Sequence, residues 1–216
     1  DASGNLTLAI RGTLELTGVP NDLATDGDIA AFGAGYDQIV AMANWWLRAS
    51  TPVNETVLQY KIVPGPLDPH DGIQFGTRWL QILSPVVGTG ELVNAIGADA
   101  DHKLDITGHS LGGHLAMAFG ALFPSATNQV TVFNAPGFTS TATTQTFFSA
   151  LGGSVPSGVA TTNIIADEAQ VGAAPWSAIA GLHSRPGTSI NLAIENQWQS
   201  DEPNPVGALN HSQQSL

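Results

Sequence analysis

Alternating apolar and polar positions along the chain predict short β-strands that are separated by helical segments. Runs with a period of two, rich in β-branched residues, occupy 6–10, 57–63, 104–107, 129–133, 161–166 and 188–194. Apolar residues at helical spacing occupy 32–47, behind an expected cap at Asp28, and then 111–123 and 143–151. Strands that alternate with helices are typical of a mostly parallel sheet flanked by helices, so the pattern predicts an α/β fold.

The length of the chain favours a single domain over residues 1–216. A chain of 216 residues can bury one large core, and no linker-like stretch divides it. No apolar run is long enough to cross a bilayer. The 18 acidic and 6 basic residues give a net charge of -12, which argues against binding to nucleic acid. The absence of cysteine excludes disulfides, thiolate metal sites and cysteine nucleophiles.

A glycine-rich hexapeptide, Gly-His-Ser-Leu-Gly-Gly at 108–113, joins a predicted strand directly to a predicted helix. Glycines on both sides of Ser110 remove the side chains that would clash in a tight strand-to-helix turn. Such a turn exposes the serine hydroxyl at the carboxyl end of the strand, so we predict a nucleophile elbow at Ser110. A serine that merely caps the helix would not explain the flanking glycines. We interpret His109 and His114 as structural, because a triad takes its base from elsewhere in the fold.

The first predicted strand ends at Arg11, Gly12 and Thr13, a turn that could face the same edge of the sheet as the elbow. Acyl transfer needs preorganised donors for the negative charge that develops on the carbonyl oxygen. These donors are commonly the backbone N–H after the nucleophile and a second one from an earlier strand-end loop. Leu111 and Thr13 are the candidates. On local sequence alone, an ordinary turn after the first strand is the simpler explanation.

An imidazole base and a carboxylate that orients it would complete a catalytic triad. The candidates are His183 and His211 for the base, and Asp167, Glu168 and Asp201 for the acid. In α/β-hydrolases the order along the chain is nucleophile, acid and base, with the acid after one strand and the base in a loop after another. Asp167 and His211 fit this order best, whereas His183 precedes the last predicted strand. A solvated acid that opens a loop explains Asp167 equally well on local sequence.

A short acidic stretch precedes the nucleophile and invites comparison with a metal site. Asp99, Asp101 and Asp105 surround His102, but the stretch lacks the glycine and the terminal glutamate of a calcium-binding loop. We therefore interpret these residues as solvated loop charges, and we expect neither a metal nor another cofactor.

Four segments resemble the class 3, or fungal-type, triacylglycerol lipases, in a branch that looks bacterial. They are residues 9–13, 106–116, 130–136 and 163–167, in the order found in the family. The match around Ser110 is highly specific, and the other three are persuasive together. The resemblance implies an α/β-hydrolase fold with Ser110 as the nucleophile. It also places an oxyanion donor at Thr13, the acid at Asp167 and the base at His211.

The resemblance further implies a secreted triacylglycerol lipase that acts on lipid. Phospholipase A1 and short-chain, feruloyl or polyester esterase activities occur on similar scaffolds, and a non-catalytic lipid-binding module is a more remote alternative. Family lids follow the oxyanion strand, which favours 15–32 as a flap over the nucleophile. By composition the flap would instead be the apolar segment 72–90, although its residues are better explained as core. Because few residues precede the oxyanion turn or follow His211, we expect a core fragment of a longer chain.

Overall fold

The computed structural model describes residues 6–12, 29, 31–99, 101–158, 160–168 and 182–194. The strands in these ranges are β1 (Leu6–Ile10), β2 (Thr56–Val63), β3 (Gly72–Phe75), β4 (Arg78–Val87), β5 (Leu104–His109), β6 (Thr127–Phe133), β7 (Thr161–Glu168) and β8 (Thr188–Ile194). The α-helices are α1 (Tyr36–Ala49), α2 (Val93–Ala98), α3 (Leu111–Leu122) and α4 (Ala142–Ala150), and a 3-10 turn, Pro124–Ala126, follows α3. No helix within the described ranges is long and apolar enough to cross a membrane.

Five strands form a parallel central sheet in the order β1-β5-β6-β7-β8. Parallel neighbours need crossover connections, which α3 provides between β5 and β6 and α4 provides between β6 and β7. The apolar residues Leu104 and Ile106 of β5 are buried, while Asp105 and Thr107 are partly exposed. The predicted α/β fold, a mostly parallel sheet flanked by helices, is confirmed.

Helix α3 is buried on almost all sides. Every residue from 111 to 119 is buried, which explains why its sequence is apolar all round rather than along one stripe. The helix contacts β1, β5 and β6 as well as α1. At the contact with α1, the rings of Trp46 and Phe119 pack edge to face with their centroids 4.9 Å apart. The turn that precedes α3 is therefore anchored in the buried core.

The other three strands form an antiparallel sheet in the order β2-β4-β3. β2 packs against α1 and β3 packs against α4, so this sheet is joined to the rest of the core. Segment 72–90, for which the sequence suggested either core or flap, supplies β3 and β4. Phe75 and Leu80 are buried in the core, whereas Ile73 and Ile82 are exposed. The segment therefore contributes to the core and keeps part of its apolar surface in contact with solvent.

Helix α1 begins later than its sequence pattern predicts. The pattern indicates a helix over 32–47, but α1 begins at Tyr36, and the expected cap Asp28 lies outside the described residues. Gly33 has a φ of +82°, a left-handed conformation that glycine adopts without strain. Its N–H donates to the carbonyl oxygen of Ile29 at 2.9 Å. A turn that ends at Gly33 thus interrupts the helical pattern.

Candidate active site

Ser110 forms a one-residue connection between the end of β5 and the start of α3. Its backbone has φ 55° and ψ -126°, which non-glycine residues rarely adopt and which costs on the order of 1–3 kcal/mol. The N–H of Ser110 donates to the carbonyl oxygen of Phe133 on β6 at 2.9 Å. Its carbonyl oxygen accepts from Gly113 and His114 in the first turn of α3. The sheet on one side and the helix on the other therefore hold this strained turn in place.

The side chain of Ser110 does not cap the helix that follows it. The residue occupies the N-cap position of α3 but makes no side-chain capping hydrogen bond to this helix. Ser110 is also largely buried, at 6% exposure. Helix capping, the simplest structural explanation of this serine, therefore does not account for Ser110.

The end of β1 packs directly against the Ser110 turn. A Cβ at Gly112 would overlap the carbonyl oxygen of Ile10, and a Cβ at Gly12 would lie 2.5 Å from the carbonyl oxygen of His109. Side chains do not approach backbone atoms this closely, so both positions require glycine. The parallel register of β1 and β5 brings the two strand-end turns to the same level of the sheet.

The structure describes one of the two candidate oxyanion donors. Leu111 is the first residue of α3, so its N–H is among the helix-start donors that no intrahelical carbonyl oxygen can satisfy. Arg11 and Gly12 lie at the end of β1 beside the start of this helix. Thr13 lies outside the described residues, and its contribution to an oxyanion hole stays a prediction.

Asp167 lies at the carboxyl end of β7, two strands away from β5. β7 continues to Glu168, two residues beyond the strand predicted over 161–166. Because the five strands are parallel, the carboxyl end of β7 lies at the same edge of the sheet as Ser110, where ligands of α/β proteins bind. The side chains of Asp167 and Glu168 are not described. Two further triad candidates lie outside the described residues: Asp201 and His211.

His183, the alternative base, has a structural partner. Its Nε2–H donates to the carbonyl oxygen of Ile29 at 2.6 Å. The neighbouring backbone pairs with the loop after β6 through a bridge between Phe138 and Ser184. These contacts account for His183 without a catalytic role, and the assignment of the base to His211 stays a prediction.

His114, one helical turn after Ser110, is completely buried. Its Nε2 accepts a hydrogen bond from the N–H of Gly35 at 3.2 Å, which leaves the proton of the neutral ring on Nδ1. The Nδ1–H donates to the carbonyl oxygen of Pro136 at 3.2 Å, and the ring stacks on Phe138 at a centroid distance of 3.9 Å. Burial lowers the pKa of His114 to about 4. The neutral ring thus joins α3 to two neighbouring loops.

Asn134 is a candidate site residue that the sequence pattern did not single out. It follows β6 directly, is completely buried and has a φ of 45°, a region that asparagine tolerates better than most side chains. Its N–H donates to the carbonyl oxygen of Ile164 on β7 at 2.9 Å. Asn134 therefore links the strand that supports Ser110 to the strand that carries Asp167. Its only sequence signal is an asparagine directly after an apolar strand.

The interpretation of the acidic stretch before β5 as solvated charges is wrong for Asp99. Asp99 is only 5% exposed, and its Oδ2 accepts from the N–H of Leu6 at 3.1 Å, at the start of β1. Hydrogen bonds with Asp101 and from Leu6 hold the pKa of Asp99 below its usual value. Asp105 accepts from Nδ2 of Asn128 at 2.8 Å. In the described ranges, no three acidic, histidine or cysteine side chains are grouped so that they could hold a metal ion.

Comparisons with known proteins identify no relative of this chain. No protein-family model matches it, and neither does any curated protein or solved structure. Any functional assignment therefore depends on the residues and geometry of the chain itself. These combine a strained serine, the N–H of Leu111 at the start of a helix and a second turn packed against both.

Proposed function

We propose that the protein is a serine carboxylic-ester hydrolase that acts through an acyl-enzyme on Ser110. The observation that carries the proposal is the φ of 55° at Ser110, between a parallel strand and a helix that its side chain does not cap. Strained conformations of this kind persist where the surrounding structure enforces them, and they cluster at functional sites. In α/β-hydrolases the nucleophilic serine stands on such a strand-to-helix turn.

In the proposed reaction, the hydroxyl oxygen of Ser110 first attacks the carbonyl carbon of an ester. His211 accepts the hydroxyl proton as the new C–O bond forms, and Asp167 orients the imidazole and stabilises its protonated form. The imidazolium then protonates the leaving alcohol, which leaves the acyl group on Ser110. Water, deprotonated by the same histidine, attacks this acyl-enzyme, releases the carboxylic acid and regenerates the serine.

The close packing of the β1 turn on the start of α3 supports an oxyanion hole at this place. Negative charge that develops on the substrate oxygen needs donors that are already oriented before the reaction starts. The proposed donors are the N–H of Leu111 and a group of Thr13. Because a side chain at Gly12 or Gly112 would collide with backbone atoms, the two turns pack in direct backbone contact, which supports a shared oxyanion site at this place.

The substrate class that we propose is long-chain acylglycerol, which makes the protein a triacylglycerol lipase. The proposal is supported by the low exposure of Ser110, 6%, which is compatible with a cover over the acyl-binding site. A cover that turns its apolar face toward lipid opens most readily at a lipid surface. Turnover should therefore jump when the substrate passes from monomers to droplets. Rates that rise smoothly through the solubility limit would instead indicate an esterase for short or soluble esters, the main alternative.

Ester turnover by paired serine variants tests the proposal. Ser110→Ala should lower the hydrolysis of p-nitrophenyl esters by at least about a thousandfold, because it removes the nucleophile. The matched control is Ser149→Ala, an exposed serine on α4, which should hydrolyse the esters at the wild-type rate. A folded Ser110→Ala variant that keeps its turnover would exclude the acyl-enzyme, and a wild type without turnover on any acyl length would favour a lipid-binding module.

A further inference from the structure

Arg185, shortly before β8, has no charged partner among the residues that the structure describes. The residue is half-buried, and its Nη1 is buried without a hydrogen bond. No ion pair of Arg185 occurs in the described part of the chain. A guanidinium keeps its charge in proteins, and a buried donor without an acceptor is unfavourable. The chain has 18 acidic and only 6 basic residues, and none of the acidic side chains that the structure describes forms an ion pair with Arg185.

The same arginine lines an open cavity of about 530 Å³. Phe138 and Val155 contribute an apolar wall, and Ser140 and Ser157 contribute hydroxyl groups. Among the described residues, no acidic side chain lines this cavity. Its volume is within the range of small-molecule sites, in which polar groups fix the orientation of the ligand.

We propose that this cavity binds a small organic anion, whose carboxylate or phosphate group pairs with Arg185 and whose apolar part lies against Phe138 and Val155. A guanidinium presents two parallel N–H donors that match either oxyanion. The serine hydroxyls can donate to the remaining oxygen atoms. His183 also lines the cavity, but its Nε2–H is already donated to a backbone carbonyl oxygen, so it is not part of the anion-binding set.

A purely structural role of Arg185 makes a different prediction. Asn163 donates through Nδ2 to the carbonyl oxygen of Pro186, and its Oδ1 is the other buried side-chain atom without a partner in the described ranges. A guanidinium that shifted toward this oxygen would stabilise the fold, so its removal would lower the unfolding temperature. Removal of an unsatisfied guanidinium that serves a ligand leaves the ligand-free protein no less stable.

Calorimetric titration with hexanoate, hexyl phosphate and hexan-1-ol tests the site, because these molecules share an apolar chain and differ in the head group. The wild type should bind the anions and not the alcohol, and the two anions show which oxyanion is preferred. Arg185→Gln should weaken binding of the preferred anion about tenfold to a hundredfold. Arg48→Gln, at an exposed arginine on α1, makes the same charge change away from the cavity. Arg185→Lys keeps the charge without the fork and should bind less tightly than the wild type.

Loss of anion binding in Arg185→Gln, together with an unfolding temperature no lower than that of Arg48→Gln, supports the proposal. Equal anion affinity in the wild type and Arg185→Gln would overturn it. So would the failure of both anions to bind the wild type, or a lower unfolding temperature of ligand-free Arg185→Gln than of Arg48→Gln. These readouts are binding and stability, so they do not depend on ester hydrolysis at Ser110.

Discussion

Acidification should destabilise the protein through His114, because this buried ring can accept a proton only at the expense of its contacts. A proton on Nε2 would face the N–H of Gly35, so that two donors would oppose each other. Burial lowers the pKa of His114 from 6.5 to about 4 in the folded protein. The unfolded chain therefore takes up the proton first as the pH falls. The stabilisation from neutral His114 is complete above pH 6.5 and is lost between pH 6.5 and 4.

The size of this effect follows from the two pKa values. Linkage gives a loss of about 2 kcal/mol in the free energy of unfolding by pH 5 and about 3 kcal/mol by pH 4. Urea unfolding, followed by tryptophan fluorescence from pH 8 to 4, should be compared for the wild type and His114→Gln, which has a donor and an acceptor but does not titrate. Their difference in free energy of unfolding should shrink by about 2 kcal/mol between pH 8 and 5. His70→Gln, on an exposed turn, is the control substitution. A difference that is constant with pH would refute the reasoning.

Further substitutions test the geometry around the nucleophile and the assignment of the triad. Gly112→Ala should lower the free energy of unfolding by about 1–3 kcal/mol in urea unfolding, because the added Cβ would overlap backbone atoms at the end of β1. The control is Gly97→Ala in α2, where an added Cβ contacts no other atom. This variant should be neutral or stabilising by up to about 1 kcal/mol. His211→Ala should lower ester turnover at least about a thousandfold, and His183→Ala should change it little. A large loss of turnover in His183→Ala and a small one in His211→Ala would contradict the proposed order of acid and base along the chain. Thr13→Ala should reduce turnover about a hundredfold to a thousandfold if its hydroxyl binds the oxyanion, and only mildly if the backbone alone does.

The central part of the fold could be predicted because its signals are local. The alternation in β5, the glycines around Ser110 and the apolar run of α3 are contiguous in sequence. Together they predict a strand, a tight turn and a helix in that order. The parallel sheet followed from the repeated alternation of strands and helices. The position of Ser110 between β5 and α3 therefore agrees with the sequence pattern, whereas its φ of 55° is seen only in the structure.

The features that the sequence did not indicate depend on contacts between distant segments. Asp99 accepts a hydrogen bond from Leu6 at the start of β1, 93 positions away. Because this partner is so distant in sequence, the acidic residues around Asp99 indicate only a solvated loop when the sequence is considered alone. Segment 72–90 forms strands because β2 is available to pair with β4, and its own composition carries no information about this partner. The start of α1 is set by the left-handed turn at Gly33, which a pattern of apolar residues does not reveal. Asn134 becomes notable only once β6 and β7 are neighbours.

Covalent labelling with a fluorophosphonate probe tests the central claim most directly, since the probe reacts with activated serines and not with ordinary ones. The wild type should acquire one adduct, and peptide mass analysis should locate it at Ser110. Ser149→Ala should be labelled as the wild type is, and Ser110→Ala should acquire no adduct while keeping the wild-type unfolding temperature. A folded wild type that takes up no probe, or a Ser110→Ala variant that is still labelled, would contradict the assignment of Ser110 as the nucleophile.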